Sequence, residues 1–518
     1  MVDAREYHER TNHHPHQLGG SSEAMDPARK PRPYKQYRDI DRIDLDTMRR
    51  IEQPTLSLVA ERTADPRITP QNERSAPVDR RTLATLCYAA SGITQSVRTE
   101  DGDVINFRAA SCTGKLYHIE LYLVITECSD LPAGLYHFDP HRMALDVLRR
   151  GDVRHIVADA VGEGDETWST VANAPVTVIA TSEWWRNAWK YTERTYRHAF
   201  WDAGTVLANL LAAAHSEDLP ASVVTGFADA AIADGLGVDP EHEGPLALVP
   251  IGEGAPVPGT GPIDPISPAV VPASEDPIDY PLIPDAWYQS AFSDGDAARE
   301  WRSSLQSISD KSSDRNEVTE QLSLAPVDHE TASARPFYST IRRRGSCRDY
   351  ETRGPSRRQV GTVLDRALRG IPGDWNGATA TGLSMITPYL LVTGVKDVPD
   401  GTYRYHQSMS TLERLGPCDQ SKKAKLALSQ PWAGEAHVNV YLMAAVDKLV
   451  EQYGNRGYRL AQLEAGLTLG RLYLATYAHR ELGGLGLTFF DDLVTKHLQP
   501  TAGSQSPMCL FAFGRAAR

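Results

Sequence analysis

Cysteine is scarce in this chain and never closely paired. Cys87, Cys112, Cys128, Cys347, Cys418 and Cys509 are scattered through 518 residues without a CxxC spacing. That argues against zinc sites and a disulfide framework, and for reduced thiols in a cytoplasmic protein. Long uncharged apolar runs are missing too, and no apolar h-region stands at the N-terminus, so no membrane span or secretory leader is expected. Positive charge is in deficit: 54 Lys and Arg against 67 Asp and Glu leave a net charge of -13. A net anion is a poor general binder of nucleic acid or anionic membranes. His8, His13, His14 and His16 crowd "YHERTNHHPHQL", but lack cysteine or carboxylate partners at ligand spacing. Residues 1–50 therefore read as a polar arm, and no metal is expected. The remaining composition, 41% hydrophobic and 23% charged, is that of an ordinary globular chain long enough for several domains.

The chain is written largely twice. "YTERTYRHAFWDAGTVLANLLAAA" from Tyr191 matches "YGNRGYRLAQLEAGLTLGRLYLAT" from Tyr453, a spacing of 262 residues (453 less 191). The same spacing pairs Phe227 with Phe489, Asp229 with Asp491, Pro245 with Pro507 and Gly252 with Gly514. Upstream, "GLYHFD" at Gly134 answers "GTYRYH" at Gly401. One register held over several elements marks a duplication. The halves are expected at 51–255 and 336–518, joined by a connector at 256–335 rich in Pro, Ser and Asp. That composition suits an extended surface path with one short helix near "DAAREWRSSLQ".

Each half reads as a mixed α/β unit. "ELYLVIT", "PVTVIAT" and "PLALVPI" are strand-like runs. Ala203, Leu207, Leu210, Leu211 and Ala214 recur at helical spacing, as do Ala465, Leu469, Leu472 and Tyr473, so a buried helix is expected in each half.

"FRAASCTGKLYHIELYLV", "GLYHFD", "WKYTERTYRHAFWDAG" and "IRRRGSCRDY" together resemble the nitroreductase-fold flavoproteins, specifically the SagB-type or thiazole-forming azoline dehydrogenases. The resemblance spans both halves. It implies an α+β fold, normally an intertwined dimer with FMN at the interface, so a tandem duplication becomes an intrachain pseudo-dimer with two pseudo-equivalent pockets. Its implied partners are a peptide or small-molecule substrate and a cyclodehydratase complex. Further homo-oligomerisation stays open.

"IRRRGSCRDY" occurs in the second half alone. An FMN phosphate needs fixed cationic donors and a hydroxyl, and the resemblance places Arg344, Ser346, Arg348 and Arg515 in that task. The first half has "PRITP" opposite the arginine motif and Glu253 opposite Arg515, and a carboxylate repels phosphate. Gln430, implied against the flavin ring, is answered by Trp168. The ring-covering loop is implied at Ser111, Cys112, Thr113 and Gly114 of the first half, with Cys112 where the family commonly has Ser. The second half has only the looser "NGATATGLSM". Leu487 and Thr488 are implied at the reactive N5 edge. One competent composite pocket is expected, its phosphate grip from the second half and its loop from the first; two-site occupancy is the alternative.

For catalysis the resemblance implies the pair Lys190 and Tyr191, answered by Gln452 and Tyr453 in the second half. A neighbouring ammonium favours phenolate, so Tyr191 is expected with a lowered pKa as the base. Tyr196, Arg194 and Arg197 recur in the half without the lysine and read as structural. His118 lines the pocket or packs in the core, and Trp184, Trp185 and Trp189 cover the substrate mouth or pack. Three functions stand: an FMN-dependent dehydrogenase turning peptide thiazolines or oxazolines into thiazoles or oxazoles, an NAD(P)H-dependent reductase of small aromatics, and a non-catalytic flavin-binding or scaffold protein. The Lys-Tyr pair favours the first.

Overall fold

The computed structural model describes residues 2–16, 25–60, 77–128, 130–257, 264–306, 321–327, 335–376 and 382–517. The "PRITP" stretch and residues 377–381 of "NGATATGLSM" lie outside them. Strand runs rich in β-branched and aliphatic residues build two antiparallel sheets. The first-half strands are β1 (Arg42–Asp44), β2 (Ile93–Arg98), β3 (Val104–Arg108), β4 (Ile119–Ile125), β5 (Gly134–Asp139), β6 (Ala144–Arg150), β7 (Val176–Glu183) and β8 (Glu243–Ile251). Those of the second half are β9 (Gln321–Ser323), β10 (Thr387–Val392), β11 (Gly401–His406), β12 (Thr411–Gly416), β13 (Val438–Ala444), β14 (Leu482–Leu487) and β15 (Ser506–Arg515). The sheets run β1-β6-β5-β4-β7-β8 and β14-β15-β13-β10-β11-β12-β9, with β2-β3 a separate hairpin. Two copies of one α+β unit are present. The strand β4 is buried at every position, as a sheet covered on both faces requires.

Between the sheets cross the two expected helices, Thr195–Ser216 and Val446–Ala478. They meet at Gly204 and Gly466, positions equivalent in the 262-residue register. A Cβ on Gly204 would lie 2.2 Å from the Gly466 carbonyl carbon, and one on Gly466 would lie 2.4 Å from the Phe200 oxygen. The missing side chains let the backbones touch, and the pseudo-twofold relation runs through this contact.

The same relation governs the buried charges. Arg194 and Arg197 of the first half bind Asp491 of the second at 3.1 and 2.8 Å, and Arg456 and Arg459 bind Asp229 of the first at 2.7 and 2.5 Å. All six residues are buried. These arginines are structural, as their repetition suggested, and they work across the halves.

Two expectations need correction. The described part of the polar arm is packed: the helix Ala4–Arg10 buries Tyr7 and His8, and β1 pairs with β6. The connector contains the expected helix, Gly295–Gln306, but also Leu282–Tyr288 with Trp287 fully buried, and β9, paired with β12. Arm and connector are themselves copies, 279 residues apart (321 less 42; 290 less 11). Arg197 donates through Nε to Thr11 Oγ1 at 2.9 Å and through a terminal nitrogen to the His8 carbonyl; Arg459 donates to Ser290 Oγ at 2.6 Å and to the Trp287 carbonyl. Leu45 N–H bonds the Met143 carbonyl, as Leu324 N–H bonds that of Ser410.

Candidate active site

The loop between β3 and β4 is held by one carboxylate. Asp202, buried on the first central helix, accepts from Thr113 N–H at 2.9 and 3.0 Å, Thr113 Oγ1 at 2.9 Å, Cys112 Sγ at 3.0 Å and His118 Nε2 at 2.9 Å. His118 is fixed on its other side by Ser182 Oγ at 2.8 Å. It is therefore a buried anchor of the loop. Cys112, His118 and Asp202 offer three donor atoms within 4.8 Å of one another; here the carboxylate is the shared acceptor. The second half repeats the device with Glu464, which accepts from the N–H groups of Ser384, Met385 and Ile386. The recurring acid before Ala-Gly is thus a loop tether in both halves, a role hidden in the sequence because the loops differ.

Gly114 sits at φ 63°, where a side chain is disfavoured. A Cβ there would come 2.8 Å from the Tyr191 hydroxyl. The loop and Tyr191 are therefore in direct contact. Tyr191 ends the helix Trp184–Tyr191 and precedes Thr192, a non-glycine residue at φ 49°. Lys190 is exposed, with its ammonium 5.3 Å from the centroid of the Tyr191 ring. The expected phenolate is overturned: burial, then Asp202 and Cys112, push the Tyr191 phenol well above its ordinary value. The ammonium faces the ring, and the hydroxyl lies in a buried, anionic corner that favours the neutral form. Trp184, Trp185 and Trp189 are all buried; they pack.

From Tyr191 a chain of rings leads into the second half. Tyr191 meets His198 edge-on at 4.7 Å, His198 lies 4.9 Å from Trp201, and Trp201 lies 6.3 Å from Phe489. Beside Phe489, the Thr488 carbonyl accepts from Gln430 Nε2 at 3.4 Å, and Gln430 Oε1 accepts from Trp432 at 3.1 Å. Arg348 stacks on Trp432 at 5.1 Å. A chain of contacts through buried rings thus links Tyr191 and the Gly114 loop of the first half to Thr488, Gln430, Trp432 and Arg348 of the second.

The arginines of "IRRRGSCRDY" have separate tasks. Arg343 donates to the carbonyls of Tyr477, His479, Arg480 and Leu482, closing the end of the second central helix. Arg344 donates to the carbonyls of Arg108, Ala109 and Ala110, so a second-half guanidinium grips the first half's loop. Tyr473 supports the same junction, accepting from Gly486 N–H at 2.6 Å and hydrogen-bonding Ser111. Ser346 and Arg348 are exposed. Arg515 pairs with Glu351 at 2.6 Å and Glu481 at 3.0 Å, carboxylates that a phosphate there would have to displace.

The nitroreductase family pattern matches residues 74–253 and again 341–515. The chain belongs to the nitroreductase family, whose members are flavin-dependent oxidoreductases. MJ1384 of Methanocaldococcus jannaschii, assigned as a nitroreductase, is 26% identical over 178 residues, covering 34% of this chain and 82% of that protein. A crystal structure assigned as a nitroreductase from Anabaena variabilis superimposes with a TM-score of 0.75 and 22% identity, covering both chains completely. It shares the tandem architecture. The Escherichia coli microcin synthetase McbBCD complex, with truncated pro-MccB17 bound, has a TM-score of 0.29 at 20% identity over 36% of this chain and 71% of that one, too little to bear on function. Among the described residues no helix is long and apolar enough to cross a membrane.

Proposed function

We propose that this chain is an FMN-dependent dehydrogenase of the SagB type, converting peptide thiazolines or oxazolines into thiazoles or oxazoles with one composite site. The observation that carries the reading is the contact of Tyr191, with Lys190 beside it, on the Gly114 loop, while the twin position has Gln452. One feature suits an anionic tail: Ser346 and Arg348 are exposed beside Arg344, which grips the first-half loop. Ser111 to Gly114, Gln430, Leu487 and Thr488 would hold the ring, and Ser346 and Arg348 the phosphate, with Arg344 fixing the loop; Arg515 would join them only on leaving Glu351 and Glu481. Bound FMN supplies the two-electron redox chemistry.

The chain's own residues bind and orient the azoline and stabilise the charge that develops on it. As a neutral phenol, Tyr191 donates a hydrogen bond to the peptide carbonyl next to the azoline ring, which acidifies the adjacent C–H. The exposed Lys190 ammonium stabilises the negative charge building on that carbonyl oxygen while solvent water takes the proton. A cyclodehydratase complex is the natural supplier of the substrate ring, since azolines arise by loss of water from cysteine, serine or threonine peptides.

The test uses the purified chain with FMN and a thiazoline-containing peptide under air. Loss of two hydrogens from the peptide by mass, with no bleaching of the flavin by NADPH, supports the proposal. Rapid bleaching by NADPH with an unchanged peptide makes the chain a reductase, and failure to bind FMN makes it a scaffold.

A further inference from the structure

We infer that His13, delivered from the N-terminal segment to the Thr488 edge of the second half, is a positioning residue of the composite site. The inference rests on the reading above that Leu487 and Thr488 face the flavin. His13 Nδ1 lies 3.3 Å from Thr488 Oγ1, and the ring also hydrogen-bonds the Phe489 backbone. The segment is held in place by main chain: His13 N–H donates to Asp491 Oδ2 at 2.8 Å, and Asp491 N–H donates to the His13 carbonyl. Neither of these two bonds uses the imidazole, so the segment is seated by main chain and the ring is left to Thr488 and the Phe489 backbone.

The duplicated segment makes the same point. In the 279-residue register His13 corresponds to Phe292, whose N–H donates to Asp229 Oδ2 at 3.1 Å. A phenylalanine there makes the same main-chain bond to the equivalent carboxylate. It does so at the twin position, where Lys190 is answered by Gln452 and Thr488 by Gly226. His13, Lys190 and Thr488 thus all fall on one of the two pseudo-equivalent sites, whereas Tyr191 has Tyr453 as its twin. His13 is faced by Asp491, Arg194, Arg197 and His198. Burial and then Arg194 lower its pKa to about 4 against the opposing pull of Asp491. The ring is neutral, with one nitrogen to accept from the Thr488 hydroxyl and one N–H to donate. It can therefore fix the Thr488 hydroxyl without adding charge at the reactive edge.

The test compares His13→Phe, His13→Asn and Phe292→His with wild type in the full chain. It reads FMN affinity, the visible spectrum of bound FMN, and kcat and KM for the thiazoline peptide. His13→Phe should fold, because its twin already has phenylalanine. It should shift the bound-flavin spectrum and lower kcat by roughly tenfold to a hundredfold, with KM little changed. Asparagine, which retains an amide partner for Thr488, should restore most of kcat, and Phe292→His should match wild type. An unaltered spectrum and kcat in His13→Phe overturn the inference. If wild type binds FMN but leaves the peptide unchanged, the azoline reading fails, while the spectral comparison still decides the role of His13. If wild type binds no FMN, both fall.

Discussion

Tyr191 and its neighbours show how little of a side chain's charge state is local. The Lys190-Tyr191 pair is legible in sequence, and adjacency alone suggests an ionised phenol. Burial and Asp202, on the next long helix and hydrogen-bonded into the loop that Tyr191 touches, set the opposite state. Tyr191→Phe and Lys190→Ala should retain FMN while peptide oxidation falls by roughly a hundredfold or more. Chromatographed protein with wild-type flavin content and unchanged turnover would remove the pair from the chemistry. Asp202→Ala strands the half-buried Thr113 N–H and the buried His118 at once, and a buried donor costs about 1–3 kcal/mol when unpaired. Its urea midpoint and its FMN affinity should both drop. Arg344 was expected to grip the FMN phosphate, but its guanidinium is spent on three carbonyls of the other half. Replacing it with alanine should loosen the loop and lower FMN affinity.

At the level of elements, the two central helices were readable from apolar spacing, and their equivalence from the repeat. Their crossing point was not. Ala-Gly recurs in both halves, yet glycine in a helix has many uses, and only the tertiary contact shows Gly204 and Gly466 as the place where backbones touch. Gly204→Ala would drive a methyl into the Gly466 backbone. Such overpacking costs about 1–3 kcal/mol, and against helix propensity, which favours alanine, the clash should win. Equilibrium urea unfolding gives the sign; a more stable variant would refute the close approach. The arm and connector were misread for a related reason. Between residues 4–15 and 283–294 what persists is a hydroxyl at Thr11 and Ser290 and a backbone path, and neither leaves a sequence identity to find.

The whole molecule is a pseudo-dimer fastened by reciprocal charges. Burial alone would raise the Asp491 pKa, but Arg194 and Arg197 overcome it and hold the carboxyl well below its ordinary range. A depressed carboxyl pKa contributes stability that is complete above the unfolded value, near ~4, and lost as pH falls toward the folded one. Asp491→Asn should therefore cost about 3–5 kcal/mol at neutral pH, since it leaves buried guanidinium charge uncompensated. Its thermal midpoint should also fall less steeply than wild type on acidification below ~4. Parallel acid profiles would show that the pair does not couple the halves. The proposed site also fixes a stoichiometry: titration with FMN should saturate at one per chain, and two equal sites would contradict a single composite pocket.

The sequence by itself determined the duplication, the α+β elements, the two buried helices and the segregation of Lys190 and the arginine motif onto different halves, because repeats, periodicity and composition are properties of the chain in order. Only the tertiary structure decided that the arginines and acids pair across the halves, that Tyr191 is a neutral phenol, and that an N-terminal histidine stands beside Thr488. Those depend on burial and on contacts between residues far apart in the chain, and neither is written in local order.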